Sequence, residues 1–436
     1  MPSIIKFAHT LFILSCPLTL SSFVYGTDSQ LSHKKGDQLT SQTLTLSSPK
    51  TGDIYSQSLN TAEHPAINTH RQYISYVSKA TNKERPAPAI TQTSQSDQYW
   101  KVVTGSQLNK GISFSVSQTN SIIRIAPRHD TLKSLNISDT ISPHDIIITP
   151  KNQAAIKQAL TQRPIALIQS KVDADALATA GLNDNSSALT LSNDAKPGEY
   201  QLQVTKQLPS EGRYLINVKE KGSPFQLTLS APIAINQKTK TIDFNLTLSQ
   251  SNKQLTPKVF LQNNQGLQTP LNISLHQDHW QAHLPDNLAL SHHNRGLSEI
   301  LVNLETQVDG LPVIRSVKTA FKAYVNSAKI TNEITIVRKN KQLHSLLLNL
   351  DVANEGRYEV SAVLLGTNKQ GKTEAIFTTQ AASWLTPDSS QLKLMLDNAL
   401  VQSSGLTAPF TLSELELKDQ SQMARLSYQA QALTFK

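Results

Sequence analysis

Residues 300–314 read ILVNLETQVDGLPVI, and this stretch decides the fold. Two runs rich in β-branched and aliphatic residues flank Asp309-Gly310, a dipeptide suited to the two positive-φ positions of a tight hairpin. Ile300 to Glu305 and Leu311 to Ile314 are therefore adjacent antiparallel strands. Upstream, Phe225–Leu229, Ile242–Leu248, Val259–Leu261 and Leu271–Leu275 alternate or cluster in the same way, which completes a sandwich of about 100 residues over 223–324. Downstream, Leu346–Val352, Tyr358–Leu365, Leu392–Leu396 and Ala424–Phe435 repeat the pattern over 325–436, with Asn368-Lys369-Gln370-Gly371 as a hairpin loop.

Residues 98–222 are mixed. Trp100–Val103, Ile112–Val116 and Ile122–Ile125 read as strands. A helix is expected from Thr149-Pro150 through Ala154, Ala155, Ile156 and Leu160, because proline suits the first helical position. A second is expected from Asp173 to Gly181, with an acidic cap at one end and glycine at the other. A local signature recurs in Pro197-Gly198-Glu199-Tyr200, Glu211-Gly212-Arg213-Tyr214 and Glu355-Gly356-Arg357-Tyr358. Each sets a glycine turn before a tyrosine that opens an alternating strand and closes the end of a core. The first two copies are spaced to be strands of one hairpin.

The chain before residue 98 is different. Residues 27–97 are rich in Ser, Thr, Gln and Asn, so they are expected to be polar and extended or partly disordered, with Tyr73-Ile74-Ser75-Tyr76-Val77 the part that docks onto a core. Residues 1–26 have the layout of a secretory leader: Lys6, an apolar run through Leu11–Leu14 to Phe23, and the small-residue end Val24-Tyr25-Gly26. Pro17 interrupts that run, which is short for a span. Cys16 follows an imperfect lipobox, the alternative in which a lipid anchors the mature chain. Cys16 is also the only cysteine. A chain cleaved after Gly26 uses no disulfide, and its stability rests on apolar burial and backbone pairing.

The formal charge is +9 but dispersed, and aromatic residues are only 6%. Nucleic-acid binding needs clustered basic residues with stacking platforms, so that class is excluded.

Three stretches carry a resemblance: Tyr99-Trp100…Gly105…Leu108…Gly111, the hairpin at Val308-Asp309-Gly310, and Gly356-Arg357-Tyr358…Ser383-Trp384-Leu385. Together they resemble an uncharacterised exported family from gammaproteobacteria, known only as domains of unknown function. The resemblance spans most of the mature chain. It implies an N-terminal mixed domain followed by immunoglobulin-like modules, and it brings no catalytic residues.

Three groups of side chains could carry chemistry. His276 and His279 flank Gln277-Asp278 and face each other on the outer side of a hairpin, with Leu271, Ile273 and Leu275 and then Trp280, Ala282 and Leu284 turned inward. His283 lies about 13 Å further along. Zinc needs three or four ligands, so His276 and His279 alone form an adventitious site. Glu414 and Glu416 share a strand face about 7 Å apart, a carboxylate-pair spacing, with Lys418 continuing it. Asp173, Asp175 and Asn183-Asp184-Asn185 suit a helix cap and a turn better than a calcium loop. No His-Glu-x-x-His, Gly-x-Ser-x-Gly or glycine-rich phosphate loop is present.

The resulting expectation is a mainly β chain, an α+β domain followed by two tandem immunoglobulin-like β-sandwiches. It is exported to the periplasm or beyond and has no transmembrane segment after leader cleavage. It is expected to be non-catalytic, without cofactor, and to bind a protein, glycan or envelope surface, most readily through its first domain. The alternatives are a hydrolase sited in the N-terminal domain or at a His276/His279 metal, and a periplasmic assembly factor or chaperone.

Overall fold

The computed structural model describes residues 38–55, 58–60, 68–80, 90–128, 138–151, 166–263, 266–276, 279–285 and 297–436. The architecture is mainly β and multidomain, organised around three hydrophobic cores that succeed one another along the chain.

The first core, with Leu108, Phe114, Ile123, Leu202 and Tyr214, lies between two sheets. One has five strands in the order Gln98–Thr104, Arg213–Lys219, Ile122–Arg128, Ser187–Leu191 and Ile168–Val172. The other has Gly198–Val204 between Ile112–Val116 and Ile146–Pro150. Gly105–Lys110 is a helical turn closed by a capping box between Thr104 and Gln107. Ala174–Thr179 is the helix anticipated after Asp173, whose carboxylate accepts from the Ala176 amide at 2.9 Å.

Two expectations fail here. Thr149 and Pro150 are the last residues of the strand Ile146–Pro150, not a helix start. This is an edge strand, where a residue without an N–H is tolerated. Ala154, Ala155, Ile156 and Leu160 lie outside the described residues. The first two tyrosine signatures are not hairpin partners either: Gly198–Val204 and Arg213–Lys219 belong to opposite sheets. The link between them passes through buried Leu208 and crosses the core. Tyr200 and Tyr358 close the ends of their cores and turn their hydroxyls back onto the backbone. Tyr200 donates to the Lys196 carbonyl at 2.6 Å and Tyr358 to the Asn354 carbonyl at 2.6 Å, each four residues back, as in a tyrosine corner. Gly356 does not need positive φ; an added Cβ there would sit 3.2 Å from Ser421 Oγ.

The second core is wrapped by one continuous nine-stranded sheet. It runs from Ala234–Asn236 and Leu311–Tyr324 through Ser298–Val308 and four further strands to Leu227–Pro232 and Thr91–Ser96. The ends of the sheet meet, since Gln92 donates its side-chain amide to the Ala320 carbonyl. Asp309 and Gly310 take φ of +50° and +78° in the hairpin, with Val308 opposite Leu311. The third core lies in a sandwich of a four-stranded and a five-stranded sheet.

The polar N-terminal segment is ordered wherever it is described. Leu39–Thr45 pairs with Ala328–Lys339, Ile74–Lys79 with Thr373–Leu385, and Thr91–Ser96 with Leu227–Pro232. Ile54 bridges Tyr428. The segment thus straps the outer edges of the last two units. An edge strand needs backbone pairing more than apolar content, and its presence blocks edge-to-edge association. Leu44 and Val77 are among the few strap side chains that lean on the third core. Arg357, the middle residue of the third tyrosine signature, grips the strap by donating to the carbonyls of His70 and Gln72 at 2.6 and 2.9 Å. Arg71 lies 4.5 Å over the Trp384 ring.

Candidate functional site

The units meet at two junctions. At the first, Arg315 in Leu311–Tyr324 is fully buried and reaches Glu220, just past the last strand of the first unit. Its guanidinium donates to Glu220 Oε2 at 2.7 Å, Ser223 Oγ at 2.8 Å and the Phe225 and Ile314 carbonyls at 2.7 Å each. The Ser117 amide completes the Glu220 carboxylate at 2.7 Å. A buried pair satisfied on all sides fixes geometry, and removing one partner strands the other charge.

At the second junction the turn after Thr407–Asp419 inserts into the end of the middle unit. Asp419 is fully buried and accepts from the Ser421 and Gln422 amides, Ser327 Oγ and Gln422 Nε2, at 2.6–3.2 Å. This aspartate turn presses the Gln422 side chain against the Val325 amide and carbonyl at 2.9 and 2.8 Å. It also throws Met423, at φ +52°, out into solvent.

Beside that turn lies a cleft of about 680 Å³, within the size range of small-ligand sites. The strap contributes Ile54 and Ile90, the middle unit Pro232-Ile233-Ala234, Lys322 and Tyr324, and the last unit Lys418, Asp419, Gln420 and Met423-Ala424-Arg425. Its walls are mainly apolar. Lys322 donates to the Gln422 carbonyl, and burial lowers its pKa, against the opposing pull of Asp419. Burial raises the Tyr324 phenol. Lys418 and Arg425 converge on Glu416 behind the rim, Lys418 at 3.0 Å. No histidine, cysteine or serine is among the described lining residues, and the lining carboxylate, Asp419, is committed to its turn. The arrangement is suited to holding a ligand with an apolar part. A smaller cleft of about 460 Å³ shares Ile54 on the other side of the strap.

The residues singled out from sequence are placed as follows. His276 and His279 do oppose each other across the hairpin. His279 Nδ1 lies 2.6 Å from Asn245 Oδ1 and His283 Nε2 3.0 Å from Ser274 Oγ. Among the described residues no group of three or more histidine, cysteine or acidic side chains converges on a metal position. His292 and His293, which follow this hairpin in the sequence, lie outside them. Leu275, expected to face the core, is 39% exposed because the hairpin tip overshoots the second core; Leu271, Trp280, Ala282 and Leu284 are buried.

Glu414 and Glu416 do not form a regular pair. Glu414 has φ +50° at a break in register with Gly356–Thr367. Burial works to raise Glu416, but hydrogen bonds from Arg425 and Lys418 outweigh it and hold the carboxyl below the ordinary glutamate range. Asp173 caps its helix, and Asp184 pairs with Arg124.

Arg315, Glu220 and the Lys322 cleft were missed. A signal for Arg315 existed: Val313, Arg315, Val317, Thr319 and Phe321 share the inward face of one strand. A charge at such a position needs a buried partner. Lys322 had no comparable signal.

Fold and site together define a class: serial β cores in one chain, strapped by its own N-terminal segment, with a cleft at a unit junction. The chain belongs to the DUF4785 family of domains of unknown function. The family's N-terminal domain model matches residues 65–220 and its C-terminal domain model residues 327–436. The crystal structure of a DUF4785 family protein from Legionella pneumophila is similar at 20% identity, covering 87% of this chain and 98% of that one with a TM-score of 0.63. It shares the fold. A squid arrestin also aligns, at 10% identity over 47% of this chain and 92% of its own, with a TM-score of 0.15. No curated protein matches the chain. Among the described residues no helix is long and apolar enough to cross a membrane.

Proposed function

We propose that this chain is an exported, non-catalytic binding or structural protein of the cell envelope or secretome, and that it engages its partner at the cleft between the middle and last units. One observation carries this reading. A cleft of about 680 Å³ is walled by apolar side chains from three separate segments, while its carboxylate is tied into a turn. Export rests on the leader-like residues 1–26. Among the described residues the first unit, favoured from sequence as the recognition surface, contributes none to this cleft.

A protein, a glycan or the envelope surface are the partner classes to test. Cell fractionation with cross-linking mass spectrometry is expected to find the mature chain outside the cytoplasm, with cross-links around Ile233 and Met423. A chain retained in the cytoplasm would end the export reading. Stoichiometric zinc surviving dialysis would favour the hydrolase alternative through His276 and His279. The assembly-factor alternative needs a long unpaired edge, and the strap occupies the edges of Ala328–Lys339, Thr373–Leu385 and Leu227–Pro232.

A further inference from the structure

Resting on the reading of the junction cleft as a binding site, we propose that its ligand is a single-chain amphipathic anion, a long-chain carboxylate, with the chain against Ile90, Ile233 and Met423 and the head group at Lys322.

The chain end of this assignment follows from exposure. Ile90, Ile233 and Met423 are 54%, 38% and 68% exposed, and they come from the strap, the middle unit and the last unit. Scattered single apolar residues on a surface are ordinary, but three converging on one concavity mark a contact site. Covering them removes apolar surface from water, which favours a complex. Met423 sits at the tip of its turn, and methionine adapts to chains of varied shape.

The head-group end follows from charge. The cleft is lined by three cations, Lys322, Lys418 and Arg425, and one carboxylate. That carboxylate, Asp419, is buried and spends its oxygens on four hydrogen bonds. Lys418 and Arg425 are drawn back by Glu416, and Lys418 also by Glu359 at 3.7 Å. Lys322 differs: its amine is half-buried and donates to a neutral acceptor, the Gln422 carbonyl, while Asp419 acts on it through space with its oxygens held in the turn. A buried cation beside a carbonyl gains more from an added anion than one already in an ion pair, because less desolvation remains to be met. Lys322 therefore selects for a carboxylate and against a cationic head. The described wall residues form no enclosed tunnel, so a chain can enter from the solvent side past Met423.

The experiment is calorimetric titration of the purified full-length mature chain with laurate and dodecyltrimethylammonium, each below its micellar concentration, and with dodecanol below its solubility limit. Vesicles of phosphatidylglycerol form a fourth arm to separate a free carboxylate from an anionic membrane. Saturable binding of one laurate per chain is expected, at least tenfold tighter than dodecyltrimethylammonium. Met423→Glu and Ile233→Glu should each weaken laurate at least tenfold. Lys322→Met should weaken laurate at least fivefold and leave dodecanol unchanged, while Lys369→Met, in the distant hairpin loop, should change neither. Met423 is exposed, so its variant keeps the test valid even if Lys322→Met unfolds; circular dichroism checks each protein.

Dodecanol binding as tightly as laurate would overturn the anionic head group while leaving the cleft a binding site. Binding of vesicles without free laurate would overturn the single-chain ligand. Laurate binding untouched by Met423→Glu and Ile233→Glu would overturn the location. No saturable binding of any of these ligands would overturn the inference; a saturable envelope or glycan ligand lost in Met423→Glu would then leave the binding reading standing, and the lack of one would end that reading too.

Discussion

The two junctions solve the same problem in opposite ways. Between the first and middle units, Arg315 and Glu220 fill the contact and each nitrogen of the guanidinium has an acceptor. Between the middle and last units, Asp419 and Gln422 make a comparable buried lock, but the cleft beside it stays open and apolar. Both junctions bury charge at a cost that only full hydrogen bonding offsets. The filled junction is therefore structural, and the open one has room for a second molecule.

The most disruptive way to break this contrast is Arg315→Met. It leaves Glu220 buried and unpaired, and about 3–5 kcal/mol of stability should be lost. Chemical denaturation would read this, and Arg315→Met with Glu220→Leu should recover most of it. A single variant as stable as the parent would show that the first junction is no lock. Asp419→Ala comes next, at about 2–3 kcal/mol, because it orphans the Gln422 and Ser327 donors. It should also abolish laurate binding, whereas Arg315→Met should not while the protein remains folded.

A smaller effect is expected from Leu44→Asp in the strap. It should cost about 1–2 kcal/mol and raise amide exchange along Ala328–Lys339, with Leu227–Pro232 unchanged. Uniform exchange across both sheets would mean that the strap strands detach together and not one by one.

The smallest is Glu416→Gln, about 0.5–1 kcal/mol at neutral pH for an ion pair whose cations still reach solvent. The folded Glu416 carboxyl titrates below the ordinary glutamate range. Its contribution is thus present above the unfolded-state value and lost as pH falls through the folded one. The stability gap between parent and Glu416→Gln should close in acid and persist at neutral pH. A gap that widens in acid would reverse the sign.

Much of the fold was legible locally. Alternation placed the strands of the last two units, Asp309-Gly310 named its hairpin, and Asp173 named its helix. The His276–His279 pairing followed from a two-residue loop. The errors share one cause. Thr149-Pro150 resembles a helix start, yet Gly198–Val204 next to it captures the segment as a strand. Tyr200 and Tyr214 are close in sequence, yet each has its partners on a different sheet. The strap was the largest surprise. Residues 39–45 are polar and mostly exposed, and what orders them is a partner edge nearly 300 residues away.

Sequence alone determined the β character, the inward and outward faces of most strands, and a leader-like start, because each is set by neighbours within a few positions. Tertiary structure alone decided which edges the strap covers, where Arg315 finds Glu220, and that Ile90, Ile233 and Met423 surround Lys322. Those outcomes are contacts between distant segments. A period-two pattern specifies a strand's buried face without naming the strand that lies beside it.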